Sequence, residues 1–571
     1  MDTQRLILLV VFAFSVMMLW QRWEALHAPP PPQSAAQSAA PAAGAGQPSA
    51  GAVPSGTSAP AQPGAASGGV PSAATPAVAA GPTAAAQKPV NVRTDVLDAD
   101  IDPQGATLTR LVVLNQEDPV DPSKPFTLFT PEHHYALQSG FTGENLPNHR
   151  TLYHAAQDSY RLEDGKDTLQ VRLDADLPNG VQSTKVLTFH RDSYLVDVSE
   201  ELHNGTTAPI NASAYFLLTR DNSAPGGETR FGVRTYTGPA YYTDETKYHK
   251  VSWSDLDKET PQFPAAAADQ GWVAVIQHYF VSALIPPPGV ERKFYADKAS
   301  DQVYRVGFTV PLAAIAPGAS AHIAVPLYAG PQEQAVLKSL APGLELVVDY
   351  GWLKIIAVPL FQLLETLHSG VTLGSFHVPG TGNWGWSIVL LTVLIKAVFF
   401  PLSAASYKSM ARMKQVAPRM NKLREQYGGD KARLNQAMME MYKTEKINPL
   451  GGCLPIVVQI PVFLALYWTL LGAVELRQAP FMAWIKDLSL PDPYYVLPLL
   501  MLGSMVLQTR LSPTPPDPVQ AKVMMIMPFV FGIMFFWFPS GLVLYWFVNN
   551  LLSIAQQWQI TRMMGSAKSP A

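Results

Sequence analysis

A long apolar run extends from Trp384 to Leu402, and the only charge in it is Lys396. At about 1.5 Å per residue, this run spans about 28 Å, close to the roughly 30 Å of a bilayer's hydrocarbon core. The pattern therefore predicts a transmembrane helix over 384–402. A lysine near the middle of such a helix costs about 2.5–3.5 kcal/mol, so we expect Lys396 to face protein or water rather than lipid.

Two interpretations of Lys396 remain open at this point. Either its stem carries the amine to the membrane surface, about 9 Å away, or the amine faces a hydrated cavity. Helical spacing places Thr392, Phe399 and Ser403 on the same face as Lys396, and the two hydroxyls on that face favour the cavity.

Other apolar runs predict five further membrane spans, which gives six in all. The predicted spans are an N-terminal anchor at 1–24 and helices at 384–402, 453–474, 494–509, 520–538 and 541–560. Several are short, so we expect local thinning of the bilayer. Six spans place both termini in the cytoplasm, with 561–571 as a cytoplasmic tail, in agreement with the positive-inside tendency.

Residues 352–370 have amphipathic spacing, with Lys354 and Glu365 on the polar side and Pro359 within the run. The segment could be counted as a span. Its charges instead predict a helix lying in the membrane surface. If it crossed, the basic segment after Leu402 would fall outside the cytoplasm.

The segment 403–452 is strongly basic and predicts a cytoplasmic helical hairpin. Its two helices, at 403–427 and 431–446, are joined by Gly428, Gly429 and Asp430. The basic residues of the first arm are Lys408, Arg412, Lys414, Arg419, Lys422 and Arg424. This basic face is either simply solvated or docks on RNA, acidic lipid or an acidic partner. The methionines of the hairpin either pack its arms together or offer an adaptable client surface.

The remaining N-terminal half predicts a tether followed by a β domain. Residues 25–89 are rich in Pro, Ala, Gly and Ser and lack the apolar residues needed to fold. Residues 90–345 contain short β-branched and aromatic runs separated by turn residues, which predicts an all-β sandwich. The clearest runs are 107–114, 169–173, 186–190, 194–198, 214–219, 272–284, 303–310 and 322–328.

Composition adds few constraints. The chain is 48% hydrophobic and 15% charged, which fits the membrane class. Its net charge of −3 averages very different regions and says nothing about nucleic-acid binding, and we expect no specific DNA partner. Its single cysteine, Cys453, excludes an intramolecular disulfide. The histidines have no metal-ligand spacing, and the sequence lacks the GxxxxGK[ST] motif, so we expect no metal, nucleotide or other cofactor.

Three stretches carry a family resemblance: NPLGGCLPIVVQIPVFLALYW from Asn448, NWGWSIVLLTVLIKAVFFPL from Asn383 and FPSGLVLYWFVNN from Phe538. With QGWVAVIQHYF at 270–280, they resemble the YidC family of membrane protein insertases in Gram-negative bacteria. The resemblance covers nearly the full chain apart from the tether.

The resemblance implies a polytopic α-helical inner-membrane protein, with five core helices and a large periplasmic β-super-sandwich. The core would enclose a hydrophilic groove open to the cytoplasm and lipid. The implied function is insertion, folding and assembly of inner-membrane proteins, alone or with the Sec translocon, without enzymatic chemistry. The client-binding residues implied by the resemblance are Lys396, Thr392, Tyr545 and Trp546. We add Gln459 and Asn549 as polar residues within the predicted spans that could line the same groove, although the sequence alone does not orient them.

The implied partners are nascent membrane proteins, the Sec translocon and its accessory subunits, the ribosome, the signal recognition particle receptor and the lipid bilayer. The basic hairpin would recruit the cytoplasmic ones. Two positions depart from the common pattern of the family. Lys396 stands where many relatives carry arginine, so the charge remains without the bidentate fork. Trp546 stands where a second tyrosine often follows Tyr545, which keeps an aromatic surface but removes a hydroxyl.

Two other function classes stay open from the residues alone. A solute transporter could use Lys396 as its substrate or proton site, but it predicts an internal repeat that the helices lack. A membrane-tethered carbohydrate-active enzyme would need acidic or histidine side chains converging in the β domain.

Overall fold

The computed structural model describes residues 88–223, 235–258, 263, 267–300, 302–373, 376–445, 454–512 and 518–566. The predicted anchor, nearly all of the predicted tether and Cys453 lie outside the described residues. The described part comprises a β-rich region followed by a helical region.

The β-rich region is built from strands that follow one another closely along the chain. Its first ten strands are β1 (Val90–Arg93), β2 (Leu97–Asp102), β3 (Thr107–Glu117), β4 (Pro125–Phe129), β5 (Ala136–Thr142), β6 (His154–Ala155), β7 (Ser159–Arg161), β8 (Thr168–Asp176), β9 (Val181–His190) and β10 (Leu195–Asn204). The next eight are β11 (Ser213–Asp221), β12 (Gly238–Thr243), β13 (Lys247–Lys250), β14 (Trp272–Gln277), β15 (Phe280–Leu284), β16 (Lys293–Ser300), β17 (Val303–Pro311) and β18 (Ser320–Pro331). A separate hairpin follows, formed by β19 (Gly370–Leu373) and β20 (Phe376–Pro379).

Among the described residues, strands β1 to β18 form two nine-stranded sheets. The first has the order β16-β17-β11-β5-β3-β2-β1-β7, with β4 also paired to β3. The second has the order β13-β12-β14-β15-β18-β10-β9-β8-β6. The β1–β7 pairing is parallel, whereas the long pairings of β10 with β18 and β11 with β17 are antiparallel.

The two sheets share one hydrophobic core. In β9, every second residue from Val181 to Phe189 is buried, as expected for a strand with one face toward a core. Phe216 and Phe308 of the first sheet belong to the same buried cluster as Leu187 and Leu327 of the second. The predicted β-rich domain is therefore confirmed, and its sandwich architecture follows from this shared core.

One of the runs of β-forming residues contains two strands. The run 272–284 contains β14 and β15, which pair antiparallel around a turn at His278 and Tyr279. Tyr279 adopts a φ of 66°, in the left-handed region that tight turns often require. The sequence of the run gives no sign of this turn, because both strands are buried throughout and no Gly, Pro, Asn or Asp marks the turn.

The helical region begins directly after the second sheet. One short helix, α1 (Trp253–Asp257), lies within the β-rich region. The helices of the helical region are α2 (Gln334–Leu340), α3 (Lys354–Ser369), α4 (Trp384–Val398), α5 (Phe400–Tyr427), α6 (Lys431–Thr444), α7 (Leu454–Gly472), α8 (Val496–Leu511), α9 (Pro518–Met534) and α10 (Ser540–Ser566). Helix α10 therefore continues beyond the predicted end at 560.

The predicted continuous helix over 384–402 is broken in the structure. Helix α4 ends at Val398, α5 begins at Phe400, and the pair is bent by 65°. Pro401 lies in the first turn of α5, where proline is favoured because its missing N–H has no intrahelical acceptor there. The bend places Lys396 in the last turn of α4, immediately before the change of direction.

Among the described residues, no single helix is both long enough and apolar enough to cross a membrane. The bent pair of α4 and the first half of α5, through Met413, meets those criteria together. Shorter apolar helices lie at Val458–Gly472, Val496–Leu511 and Ala521–Trp537.

Helix α3 shows the amphipathic pattern expected for residues 352–370. Ala357, Phe361 and Leu364 are buried in the core of the helical region. On the other side, Ile355 is 83% exposed, and Trp352, just before the helix, is 76% exposed.

The segment after α7 joins the helical region to the β-rich region through Arg477. Its Nε donates to Oε1 of Gln116 (3.2 Å), and its Nη2 donates to the carbonyl of Glu117 (2.6 Å). The guanidinium also lies over the rings of Tyr279 and Phe280, 5.0 and 5.5 Å from their centroids. Arg477 therefore ties the helical region to β3 and to the β14–β15 turn at once.

A buried carboxyl group lies two residues before this arginine. Burial, together with the neighbouring Glu333 and Glu365 carboxylates, raises the pKa of Glu475 to about 7. Its Oε2 atom has no hydrogen-bond partner among the described residues. The ionised form of Glu475 is therefore disfavoured in the folded protein.

Replacing Arg477 by Ala should loosen the junction between the two regions. Loss of a hydrogen bond from a charged group costs about 1.5–3 kcal/mol, so amide exchange in β3 and at residues 278–279 should accelerate about tenfold or more. Hydrogen exchange on the detergent-solubilised protein measures this effect. Arg161→Ala, at an exposed position in β7, is the control; equal protection in both variants would contradict the assignment.

Replacing Glu475 by Gln should raise the melting temperature at pH 8 but not at pH 4. The folded-state pKa lies above the ordinary 4.5, so the wild-type protein loses stability as pH rises from about 4.5 through about 7. Glutamine does not ionise and avoids that loss. Thermal unfolding in detergent at both pH values tests this, and a pH-independent difference between the proteins would contradict it.

Candidate functional site

The site is centred on Lys396, which the bend after α4 places inside the helical region. Its side chain is only 6% exposed. The Nζ atom donates to Oγ of Ser553 in α10 at 2.8 Å. Throughout the described ranges, no carboxylate forms an ion pair with this amine. The cation is therefore held by a neutral hydroxyl.

A polar stripe on α10 provides this hydroxyl. Asn549, Ser553 and Gln557 recur every fourth residue, and Asn550 lies beside them, so all four share one side of the helix. All four are buried. We call these four residues the α10 stripe.

The α10 stripe connects α10 to three other helices. Gln459 of α7 donates through Nε2 to Oδ1 of Asn549 at 2.6 Å. Asn550 donates to Oγ of Ser504 in α8 at 3.3 Å. Ser553 accepts from Lys396 of α4, and Gln557 donates to the carbonyl of Leu511 in α8 at 3.1 Å. These contacts place the amine of Lys396 at one point of a polar network that crosses the bundle.

A small cavity adjoins Lys396. Its lining residues are Ile395, Lys396, Phe399, Leu402, Ser403 and Gln459. The volume available to the centre of a water molecule is about 10 Å³, close to the smallest space that holds one water. The space is thus far smaller than the open groove that the resemblance implied. Its lining combines apolar side chains with an amine, a hydroxyl and an amide.

The predicted site residues fall into two groups. Lys396 and Gln459 line the cavity together, and Asn549 reaches them through its hydrogen bond to Gln459. Thr392 does not line the cavity: it is fully buried, and its hydroxyl donates to the carbonyl of Ile388 at 2.7 Å.

The two predicted aromatic residues lie about one turn before Asn549 on α10. Tyr545 is 2% exposed and belongs to the hydrophobic core of the helical region. The ring of Trp546 packs against those of Phe463 and Phe535, with centroids 4.6 and 5.5 Å away. In this structure, both aromatic residues pack within the bundle.

The basic residues of the predicted hairpin are mostly on its surface. Lys408, Arg412, Arg419 and Lys422 of α5 are exposed, Arg424 is half-buried, and Arg419 pairs with Glu445 after α6. Val416 and Met420 are buried. The hydroxyl of Tyr442 in α6 contacts Sδ of Met420 at 3.4 Å, so at least this methionine packs between the arms.

Sequence patterns did not identify Ser553 and Asn550 as site residues. A serine within an apolar run is a weak signal because its hydroxyl can bond to the backbone of its own helix. The four-residue repeat of Asn549, Ser553 and Gln557 was the available sign that this side of α10 meets polar partners.

The described residues contain no group of three or more His, Cys, Asp or Glu side chains that could hold a metal ion. The polar groups that the structure places around Lys396 include its own amine, the hydroxyls of Ser403 and Ser553 and the amides of Gln459 and Asn549. Such a set can attract an anionic group without breaking or forming covalent bonds.

Comparison with known proteins decides the family. The family model described as the YidC periplasmic domain matches residues 89–363, and the one described as 60Kd inner membrane protein matches 376–567. A protein of Dechloromonas aromatica named membrane protein insertase YidC is 51% identical over 572 residues, covering 100% of this chain and 99% of its own length. The chain belongs to the YidC family of membrane protein insertases.

Two further YidC proteins are similar to this chain. One from Aromatoleum aromaticum is 50% identical over 573 residues and is covered over its full length. A crystal structure of an active YidC insertase covers 82% of this chain and 92% of its own, at 18% identity and a TM-score of 0.38.

Membership in the YidC family makes this chain an inner-membrane protein, with its β-rich region as the periplasmic domain. The expectation that it is an insertase and not an enzyme is confirmed. The two other function classes left open by the residues, a solute transporter and a carbohydrate-active enzyme, are thereby set aside.

The Gln459–Asn549 contact is testable by a double-mutant cycle. Gln459→Leu alone leaves Oδ1 of Asn549 buried without its donor, which should cost about 1–3 kcal/mol. Asn549→Leu should cost less stability when it is added to the Gln459→Leu protein than when it is made in the wild-type protein, because no unpaired amide then remains. Thermal unfolding of the four proteins in detergent measures this coupling; strictly additive effects would contradict a direct hydrogen bond.

Proposed function

We propose that this chain inserts nascent membrane proteins into the inner membrane and assists their folding and assembly, with Lys396 as the point that receives their polar flanks. The observation that carries the proposal is the buried amine of Lys396, bonded to a neutral hydroxyl and adjoining a cavity. The names of the relatives support the general function, and the geometry supports the role of Lys396.

Placing Lys396 inside the membrane costs free energy, and we attribute its presence there to a function of its charge. A lysine at the centre of a membrane helix is disfavoured by about 2.5–3.5 kcal/mol, and a hydroxyl offsets only part of this. An acidic residue on the flank of a client would supply the missing countercharge. The amine therefore lowers the cost of bringing that flank into the membrane.

The energy for insertion comes from the client. Burying about twenty apolar residues in hydrocarbon is strongly favourable at about 25 cal/mol per Å² of apolar surface. The helices around the site would guide that segment into lipid while the flank stays near Lys396. Nucleotide hydrolysis is not needed for this step.

We further propose the topology predicted by the sequence: six spans, both termini in the cytoplasm, and the hairpin of α5 and α6 in the cytoplasm. The bend between α4 and α5 supports this arrangement because it lets an apolar helix continue into a basic, exposed one. Helix α3, with Trp352 and Ile355 exposed on one side, fits a position in the membrane surface.

The hairpin is proposed to recruit the ribosome and the signal recognition particle receptor. Three of its basic side chains, Lys408, Arg412 and Lys422, are exposed on α5 and available to an acidic partner or RNA, and Arg419, also exposed, is paired with Glu445. The periplasmic domain and the remaining surface of the bundle are proposed to contact the Sec translocon and its accessory subunits.

Reversing the charge at Lys396 tests the proposal. Lys396→Glu should strongly reduce insertion of a client with an acidic translocated flank, whereas Lys396→Arg should retain most of it, since arginine keeps the charge. The measurement is protease protection of the translocated flank in proteoliposomes.

Lys338→Glu, an exposed charge reversal on α2, is the control and should insert like the wild-type protein. Equal insertion by the Lys396→Glu and Lys396→Arg variants would contradict an electrostatic role for the amine.

A further inference from the structure

The strongest unassigned feature next to Lys396 is Ser553. Its Oγ atom accepts a hydrogen bond from the amine and donates one to the carbonyl of Asn549, both at 2.8 Å. The single hydroxyl hydrogen is thus used by the backbone of α10, and the oxygen is left to accept from the cation. Ser553 is 4% exposed, so water competes poorly for this contact.

The orientation of the Ser553 hydroxyl is set within α10, because it donates to the carbonyl of Asn549 one turn earlier. The side chain of the same Asn549 accepts from Gln459 at 2.6 Å, which holds this turn of α10 against α7. A lysine stem has four rotatable bonds, and the hydrogen bond to Ser553 favours one inward orientation for its amine.

We propose that Ser553 is a positioning residue: its hydroxyl holds the amine of Lys396 in the bundle interior, beside the cavity, until the acidic flank of a client replaces it. The proposal rests on the function proposed above and specifies how the cation is kept available.

A neutral hydroxyl suits this role better than a carboxylate would. An acidic partner would neutralise Lys396 and compete with a client of the same charge. The hydroxyl of Ser553 orients the amine without neutralising it, and a client carboxylate forms the stronger charge-assisted bond. Gln459 and Ser403, which line the same cavity, are placed to accept or donate hydrogen bonds as the flank arrives.

Without the hydroxyl, the amine loses its hydrogen-bond partner within the described residues. Its stem then gains freedom to extend toward the membrane surface. Ser553→Ala should therefore slow insertion of a client with an acidic flank by about tenfold or more, as expected for loss of a hydrogen bond from a charged group. The same client with its flank neutralised should be unaffected, because it does not use the cation.

The experiment compares five full-length variants in proteoliposomes, using one single-span client in acidic and neutralised forms. Ser553→Ala should slow only the acidic client, and Ser553→Thr, which keeps a hydroxyl, should restore it. Ser387→Ala removes a buried serine hydroxyl that bonds to the carbonyl of Asn383 at the other end of α4, and it controls for a general loss of packing. The remaining two variants are Lys396→Gln and the double variant that combines Lys396→Gln with Ser553→Ala.

In the Lys396→Gln background, Ser553→Ala should have no further effect on the acidic client, since the group that it positions is gone. Equal slowing of both clients by Ser553→Ala, or failure of Ser553→Thr to restore insertion, would overturn the proposal for Ser553. If Lys396→Gln itself leaves the acidic client unaffected, the role of Lys396 in the proposed function fails instead.

Discussion

The organisation of the helical region depends on one constraint: a buried ammonium group must be given polar contact among apolar helices. The contact is the hydrogen bond from Lys396 to Ser553. It forms in the last turn of α4, where this helix meets the polar side of α10 just before the bend. The other residues of the α10 stripe, Asn549, Asn550 and Gln557, form hydrogen bonds to α7 and α8. The same side of α10 therefore both bonds to the cation and holds the neighbouring helices together.

This arrangement reconciles stability with function. Buried polar groups are costly when unpaired, and most of those in the α10 stripe have partners on neighbouring helices. Lys396 differs, because its partner is neutral and leaves the charge uncompensated. The periplasmic domain is connected to the same bundle through Arg477, so the β-rich region is not an independent appendage in this structure.

Sequence patterns predicted the β-rich domain, the amphipathic helix near 352–370 and the unusual lysine. They failed where apolar residues run without interruption. No polar residue of the usual turn type marks the turn at His278 and Tyr279, and the break at Phe399 lies in a run whose hydropathy does not change. Both features are set by contacts distant in sequence or by backbone geometry, such as the position of Pro401 at the start of α5.

The residues of the site could be predicted only in part from the sequence. A charge in an apolar segment is conspicuous, so Lys396 was found at once. Its hydroxyl partner lies 157 residues later, in a helix where serine is unremarkable, and only the folded structure brings the two together. Thr392 illustrates the converse, since it shares a helix face with Lys396 yet bonds to its own backbone.

The most direct test of the account is whether a client reaches the cavity beside the amine. A photocrosslinking side chain placed at Ser403, which lines the cavity, would be activated with a ribosome-stalled client bound, and Leu500, exposed on α8, would serve as the comparison position. The account predicts crosslinks from position 403 to the acidic flank of the client, and fewer when that flank is neutralised. Crosslinks from position 500 with none from position 403 would contradict it.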